Sequence, residues 1–237
     1  MDSFPILARI GPFCLLFGTL KKPCKHWALG SVAQKVSRQS PVPILLLRDQ
    51  NVKLKEKMAH PLRATVALDG SPFAEAVLSS ARDLVTALSA PKAGELHLLQ
   101  LVEMPAVEEE FGYVLDADFD LRKVALQEAG AYLQALRERL LHELPAQSSL
   151  QITWSVEECK DVADAIIQIA AQGGGIGTHQ TSDLIALTTH GRSGLHRWLV
   201  GSVTEHVLQG STLPLLILHP QSTSASPTPK QERLVVK

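Results

Sequence analysis

The 237-residue sequence predicts an α/β protein, a doubly wound five-stranded parallel sheet over residues 62–218, preceded by a helix–strand remnant of a second copy at 25–48. Three observations carry this reading. Apolar strand-like runs alternate strictly with amphipathic helical stretches, which implies parallel strands joined by crossover helices. A gapless internal repeat links the start of the chain to its end. A glycine loop follows the fourth predicted strand, at the carboxyl edge where doubly wound sheets bind ligands.

The elements follow in order. Residues 62–68 (LRATVAL) read as strand one, and Asp69-Gly70-Ser71-Pro72 as a turn that caps the next helix, with Ser71 at the cap and Pro72 in the first turn. Helix one runs to Leu88, with Ala74, Leu78, Ala81, Val85 and Leu88 on one face. Strand two is 96–102 (LHLLQLV), and 104–117 is an acidic loop holding Glu108, Glu109 and Glu110. Helix two places Leu121, Ala125, Ala129, Tyr132, Leu136 and Leu140 at helical spacing. Strand three is 150–156, and helix three starts near Asp161 and buries Val162, Ile166, Ile169 and Ala170. The run Gly173-Gly174-Gly175-Ile176-Gly177 follows a helix, so it ends helix three rather than cradling phosphate. Strand four is 183–188, helix four 195–208 and strand five 213–218. Residues 219–237, rich in Ser, Thr and Pro, read as a disordered tail.

The repeat compares HWALGSVAQKVSRQSPVPILLLRDQ at 26–50 with RWLVGSVTEHVLQGSTLPLLILHPQ at 197–221. Trp27, Gly30, Ser31, Val32, Val36, Ser40 and Pro43 recur as Trp198, Gly201, Ser202, Val203, Val207, Ser211 and Pro214, all at one offset of 171 residues. Each copy is a helix, a polar break, a proline and a buried apolar strand, with proline at the strand's start where no ladder bond is lost. Similarity ends near Lys25, so 1–24 is an irregular or atypical start and 25–48 retains a last helix and a last strand. Residues 49–61, charged and ending in Pro61, form a linker.

Composition excludes several functions. Lys plus Arg number 23 and Asp plus Glu 24, a net charge of −1, so nothing pulls on nucleic acid or anionic lipid. No run reaches the roughly 18–20 apolar residues of a membrane helix. The apolar stretch 4–18 lacks a basic start and contains Arg9 and Pro12, which argues against a signal peptide. Cys14, Cys24 and Cys159 show no disulfide or zinc spacing and suit a reducing, cytoplasmic compartment. Neither GxSxG, HExxH nor a Walker lysine loop occurs, so no catalytic residue is assigned.

The informative segment is LIALTTHGRSGLHRWLVGSV at 184–203. A strand ending at Thr188 leads through Gly191 and Gly194 into a helix that carries Gly201 and Ser202. Free N–H groups and the dipole at a helix start suit phosphate, and glycines allow close approach. The segment resembles the nucleotide loop of the universal stress protein family: Gly, two residues, Gly, nine residues, Gly, then Ser or Thr. Gly191, Gly201 and Ser202 fit, while Thr188 occupies the first glycine position. VALDGS at 66–71 resembles the family's first strand and acidic turn.

That resemblance implies the fold of the family, also described as adenine nucleotide alpha hydrolase-like, and ATP as ligand, with any Mg2+ arriving with the nucleotide. It implies Asp69 at the ribose, Leu101 beside adenine, and Gly191, Arg192, Ser193, Gly201, Ser202 and Val203 around the phosphates, with Thr188 at the strand end. Dimers or intrachain pairing through the last strands are also implied. Three functions follow: a nucleotide-binding stress regulator, a ligand-free interaction module acting through dimerisation, and a slow ATP hydrolase, weakest because the loop has no lysine.

The residues also admit plainer readings. Asp69 can be a turn residue and helix cap. Ser202 and Gly201 can serve helix packing, because Ser31 and Gly30 recur without a loop. His190, His196 and His206 have no ligand spacing and no evident acidic partner, and read as solvated. Trp27 and Trp198 read as packing residues.

Overall fold

The computed structural model describes residues 6–10, 13–18, 40, 42–48, 61–104, 116–173, 180–189 and 201–220, with backbone alone for 6–10, 13–18, 48 and 116–120. β4 (Arg63–Leu68) leads into α1 (Pro72–Glu75) and α2 (Val77–Ser89). β5 (Glu95–Glu103), α3 (Asp116–Glu143), β6 (Gln151–Cys159), α4 (Val162–Gln172), β7 (Leu184–Thr188), α5 (Ser202–Gly210) and β8 (Leu215–Leu218) follow. Before them stand β1 (Ile6–Ile10), β2 (Phe13–Gly18) and β3 (Ile44–Arg48).

The sheet order is β1-β2-β3-β8-β7-β4-β5-β6. The five strands from β8 to β6 are mutually parallel, as the alternation predicts. The chain runs outward from β4 to β6 on one side and returns at β7 and β8 on the other, so strand order reverses between β4 and β7. One face carries Val66, Leu96, Leu98, Ile152 and Ala186 against α2 and α3. The other carries Leu99, Ile185, Leu187, Leu215 and Ile217 against α4 and α5.

Several boundaries differ from the sequence reading. Ser71 caps α1 by accepting the Ala74 N–H at 3.1 Å, but helix one breaks into two at Ala76. Leu88 is 40% exposed in the last turn of α2, where Leu84 and Val85 take the buried positions. In α3 the buried residues are Ala129, Leu133, Leu136 and Leu140, while Leu121 is 68% exposed because the first turns overhang the carboxyl edge of the sheet. α4 buries Ala163, Ile166 and Ala170, with Val162 and Ile169 half-buried. Gly173 ends α4, its N–H donating to the Ile169 carbonyl at 2.9 Å. The rest of that glycine run, Glu108 to Glu110, Trp27, Trp198 and the tail from 221 lie outside the described residues.

The irregular start expected over 1–24 contains β1 and β2. They pair antiparallel, with Ile6 opposite Phe17 and Ile10 opposite Phe13, and β2 runs parallel to β3. Both are apolar runs, separated in sequence by the turn dipeptide Gly11-Pro12.

β3 pairs antiparallel with β8: Ile44 faces Ile217, Leu45 faces Leu216 and Leu46 faces Leu215. Under the 171-residue repeat, Ile44 corresponds to Leu215 and Leu46 to Ile217. The register is therefore symmetric about the Leu45–Leu216 pair, the pattern of an isologous contact. The lead-in repeats too. The Val42 N–H donates to Ser40 Oγ at 3.3 Å, and the Leu213 N–H donates to Ser211 Oγ at 3.1 Å.

Candidate functional site

β4 ends at Leu68, and the chain turns through Asp69 and Gly70. Gly70 has φ 82°, a left-handed conformation that a Cβ would strain. Asp69 Oδ1 accepts the Ser71 N–H at 2.9 Å, which fixes the turn as an Asx turn and directs the helix start.

Beyond this turn, at the carboxyl ends of β4 and β5, lies a cavity of about 640 Å³. Its floor is Leu99 to Glu103 of β5, and α3 closes one side with Ala125, Glu128, Ala129 and Tyr132. Val162 and Ile166 of α4 and Val203 of α5 close the other. The cavity thus straddles the sheet edge beside the point where strand order reverses, as ligand sites do in open α/β sheets.

Three of the predicted site residues wall this cavity: Asp69, Leu101 and Val203. Thr188, Gly201 and Ser202 are not among its walls. Thr188 is buried at the end of β7 opposite Leu218, and its carbonyl accepts the Thr204 hydroxyl at 2.8 Å. The Gly201 N–H donates to the Thr189 carbonyl at 2.8 Å, and a Cβ on Gly201 would stand 3.3 Å from that oxygen. The close approach of two backbones is thus a sufficient physical reason for glycine there. Ser202 is exposed at the start of α5. Gly191, Arg192, Ser193, His190 and His196 lie outside the described residues.

The cavity also uses residues that sequence reasoning missed. Glu103, Glu128, Gln100 and Tyr132 all face it. Glu128 and Tyr132 are one helical turn apart, a spacing that could have marked them as a polar strip at the overhanging end of α3. The Tyr132 hydroxyl donates to Glu75 Oε1 at 3.0 Å, and Arg139 pairs with the other oxygen of Glu75, tying α3 to α1. Burial, then the Glu75 carboxylate, pushes the Tyr132 hydroxyl well above its ordinary pKa, so it remains a neutral donor. Gln100 is 7% exposed, and its Oε1 has no hydrogen-bond partner among the described residues.

Asp69, Glu103 and Glu128 are carboxylates, and no Lys or Arg occurs among the described walls. Such a surface accepts hydrogen bonds from hydroxyls and amines and repels anions. The positive ends of the α4 and α5 dipoles, at Val162 and Val203, are features of the wall that favour an anion.

A doubly wound, mostly parallel sheet covered by helices on both faces defines an open-sheet α/β protein. The family model described as "Universal stress protein family" matches residues 62–219, and the chain belongs to that family. Among solved structures, the chain is 23% identical to the hypothetical protein MJ0577, covering 69% of this chain and 99% of that one with a TM-score of 0.52. The universal stress protein UspA from Lactobacillus plantarum is 22% identical, with 68% and 99% covered and a TM-score of 0.51. These likenesses concern the fold. No curated protein matches the chain.

Proposed function

We propose that the chain is a nucleotide-responsive regulator of the stress response that binds an adenine nucleotide, ATP foremost, at the carboxyl-edge cavity. The observation that carries this reading is the cavity itself, about 640 Å³ and walled by Asp69, Leu101 and Val203. Small-molecule sites span roughly 300–1,000 Å³. The acidic wall suits ribose hydroxyls and an exocyclic amine, while the phosphates, with any Mg2+, are assigned from the sequence pattern to Gly191, Arg192, Ser193, Gly201 and Ser202. The reading assigns no catalysis and a cytoplasmic location. No helix among the described residues is long and apolar enough to cross a membrane.

The test is thermal melting of the full chain with ATP, GTP and cyclic AMP. A ligand at a hundredfold excess over its dissociation constant stabilises by about 2.7 kcal/mol. ATP is expected to raise the melting temperature, and Val203→Trp, which fills the cavity, is expected to abolish the shift. No shift with any nucleotide at millimolar concentration would refute the reading.

A second reading, a ligand-free module acting through strand pairing, is favoured by β3 lying on β8 with a symmetric register. In that reading residues 25–48 are the truncated copy of a universal stress domain. The matching Ser40 and Ser211 turns support that origin.

A further inference from the structure

Outside the cavity, the structure assembles three donors that are far apart in sequence. Asp161 is the N-cap of α4, its Oδ1 accepting the Asp164 N–H at 2.8 Å, and Asp164 lies in the first turn. His206, read from sequence as lacking an acidic partner, extends from α5 toward both. Its Nε2 is 3.5 Å from Asp164 Oδ1 and its Nδ1 4.0 Å from Asp161 Oδ1. One ligand atom from each residue lies within 4.8 Å of the others.

We propose that Asp161, Asp164 and His206 bind a divalent first-row transition metal of the zinc, nickel and cobalt class, bridging α4 and α5. Metal–donor distances of about 2.0–2.2 Å place neighbouring donors about 3.0–3.6 Å apart, so donor atoms that lie within 4.8 Å of one another must close by up to about 1–2 Å. All three side chains are roughly half exposed, and they can make that adjustment by rotamer changes without disturbing the core. Two carboxylates facing each other across an imidazole repel, and a dication relieves the repulsion. The imidazole selects against magnesium and calcium, which prefer all-oxygen shells. Three protein ligands leave the remaining positions to water.

The location gives the ion a structural consequence. Val162, next to Asp161, and Val203, one turn before His206, both wall the cavity. An ion held between α4 and α5 pins these two walls together. The site uses no residue assigned to the nucleotide and is tested in its absence.

The experiment is thermal melting of the full chain with Zn2+, Ni2+ or Mg2+, with Co2+ absorption as a direct report of ligation. The variants are His206→Asn and Asp164→Asn, both exposed positions. Zn2+ and Ni2+ are expected to raise the melting temperature of the parent chain, with millimolar Mg2+ inert. Apparent affinity should fall by about tenfold or more in each variant. No response of the parent chain would overturn the proposal and leave His206 as a surface neighbour of the two carboxylates. An undiminished response in both variants would overturn it too, because binding would then belong to others of the nine histidines.

Discussion

His97 lies within the sheet on β5, 1% exposed, with Thr153, Ser155 and Arg63 as polar neighbours. Thr153 gives its proton to Glu95 Oε1 at 2.6 Å, so its oxygen must accept from His97 Nδ1 at 2.9 Å. The other ring nitrogen then accepts from the Ser155 hydroxyl at 3.0 Å. This tautomer is neutral. Burial, then the Arg63 guanidinium, lowers the pKa to about 4. The unfolded chain takes up that proton near its ordinary pKa of about 6.5. Between these values the unfolded state binds more protons, so stability falls as pH drops from about 6.5 to about 4, by roughly 3 kcal/mol. Urea unfolding across that window should show the slope, and His97→Gln should flatten it. A second prediction concerns Gly201. The Thr189 carbonyl it faces is held in place, because the Thr189 N–H donates to Leu218 at 2.9 Å. Gly201→Ala should therefore lower stability by about 1 kcal/mol, with or without nucleotide, as read by denaturant titration. At this scale the sequence was only partly legible. Asp69 was visible because Asp-Gly-Ser-Pro is local turn chemistry, whereas the partners of His97 and His206 are far away in sequence and appear only once the strands and helices are placed.

The strands and helices were more legible than their ends. Four of the parallel strands, β4, β5, β7 and β8, carry dense apolar runs that are mostly buried, whereas β6 at the sheet edge buries Ile152 alone. β6 nevertheless continues through Glu157 and Glu158 to Cys159, where the charges hid it, because the end of β5 supplies a full ladder up to the Glu103–Cys159 pair. The phase of α3 slipped for a related reason. Tyr132 and Leu133 both fit the helical spacing; Leu133 took the core, and the Tyr132 hydroxyl went to Glu75 beside the cavity. The turn between α2 and β5 shows how tightly such units pack. A Cβ on Gly94 would lie 2.4 Å from Val85 Cγ1 and 2.6 Å from Ser89 Oγ. Both neighbours are buried, and Ser89 Oγ accepts the Leu62 N–H at 3.3 Å. Gly94→Ala should cost about 1–3 kcal/mol, measured as a lower urea midpoint.

At the scale of the whole molecule, the gapless repeat was the clearest signal, because a fixed offset survives in sequence whatever the chain does between the copies. The use of 6–18 as strands was not legible, since short apolar runs do not declare their partners. β3 buries Ile44, Leu45 and Leu46 on the β8 edge, each at 6% exposure or less. Removing residues 1–55 should bare that edge and its apolar side chains, and size-exclusion chromatography should show self-association or loss of solubility. A soluble, unchanged monomer would count against a protective part for β3. The covering strand also acts through its tether. Only residues 49–62 separate β3 from β4, so β3 meets β8 at a local concentration on the order of millimolar. A second chain at micromolar concentration competes for the same edge at a disadvantage of about a thousandfold. β3 thus stands as a tethered occupant of the β8 edge, and an event that frees it would open that edge to a strand from outside.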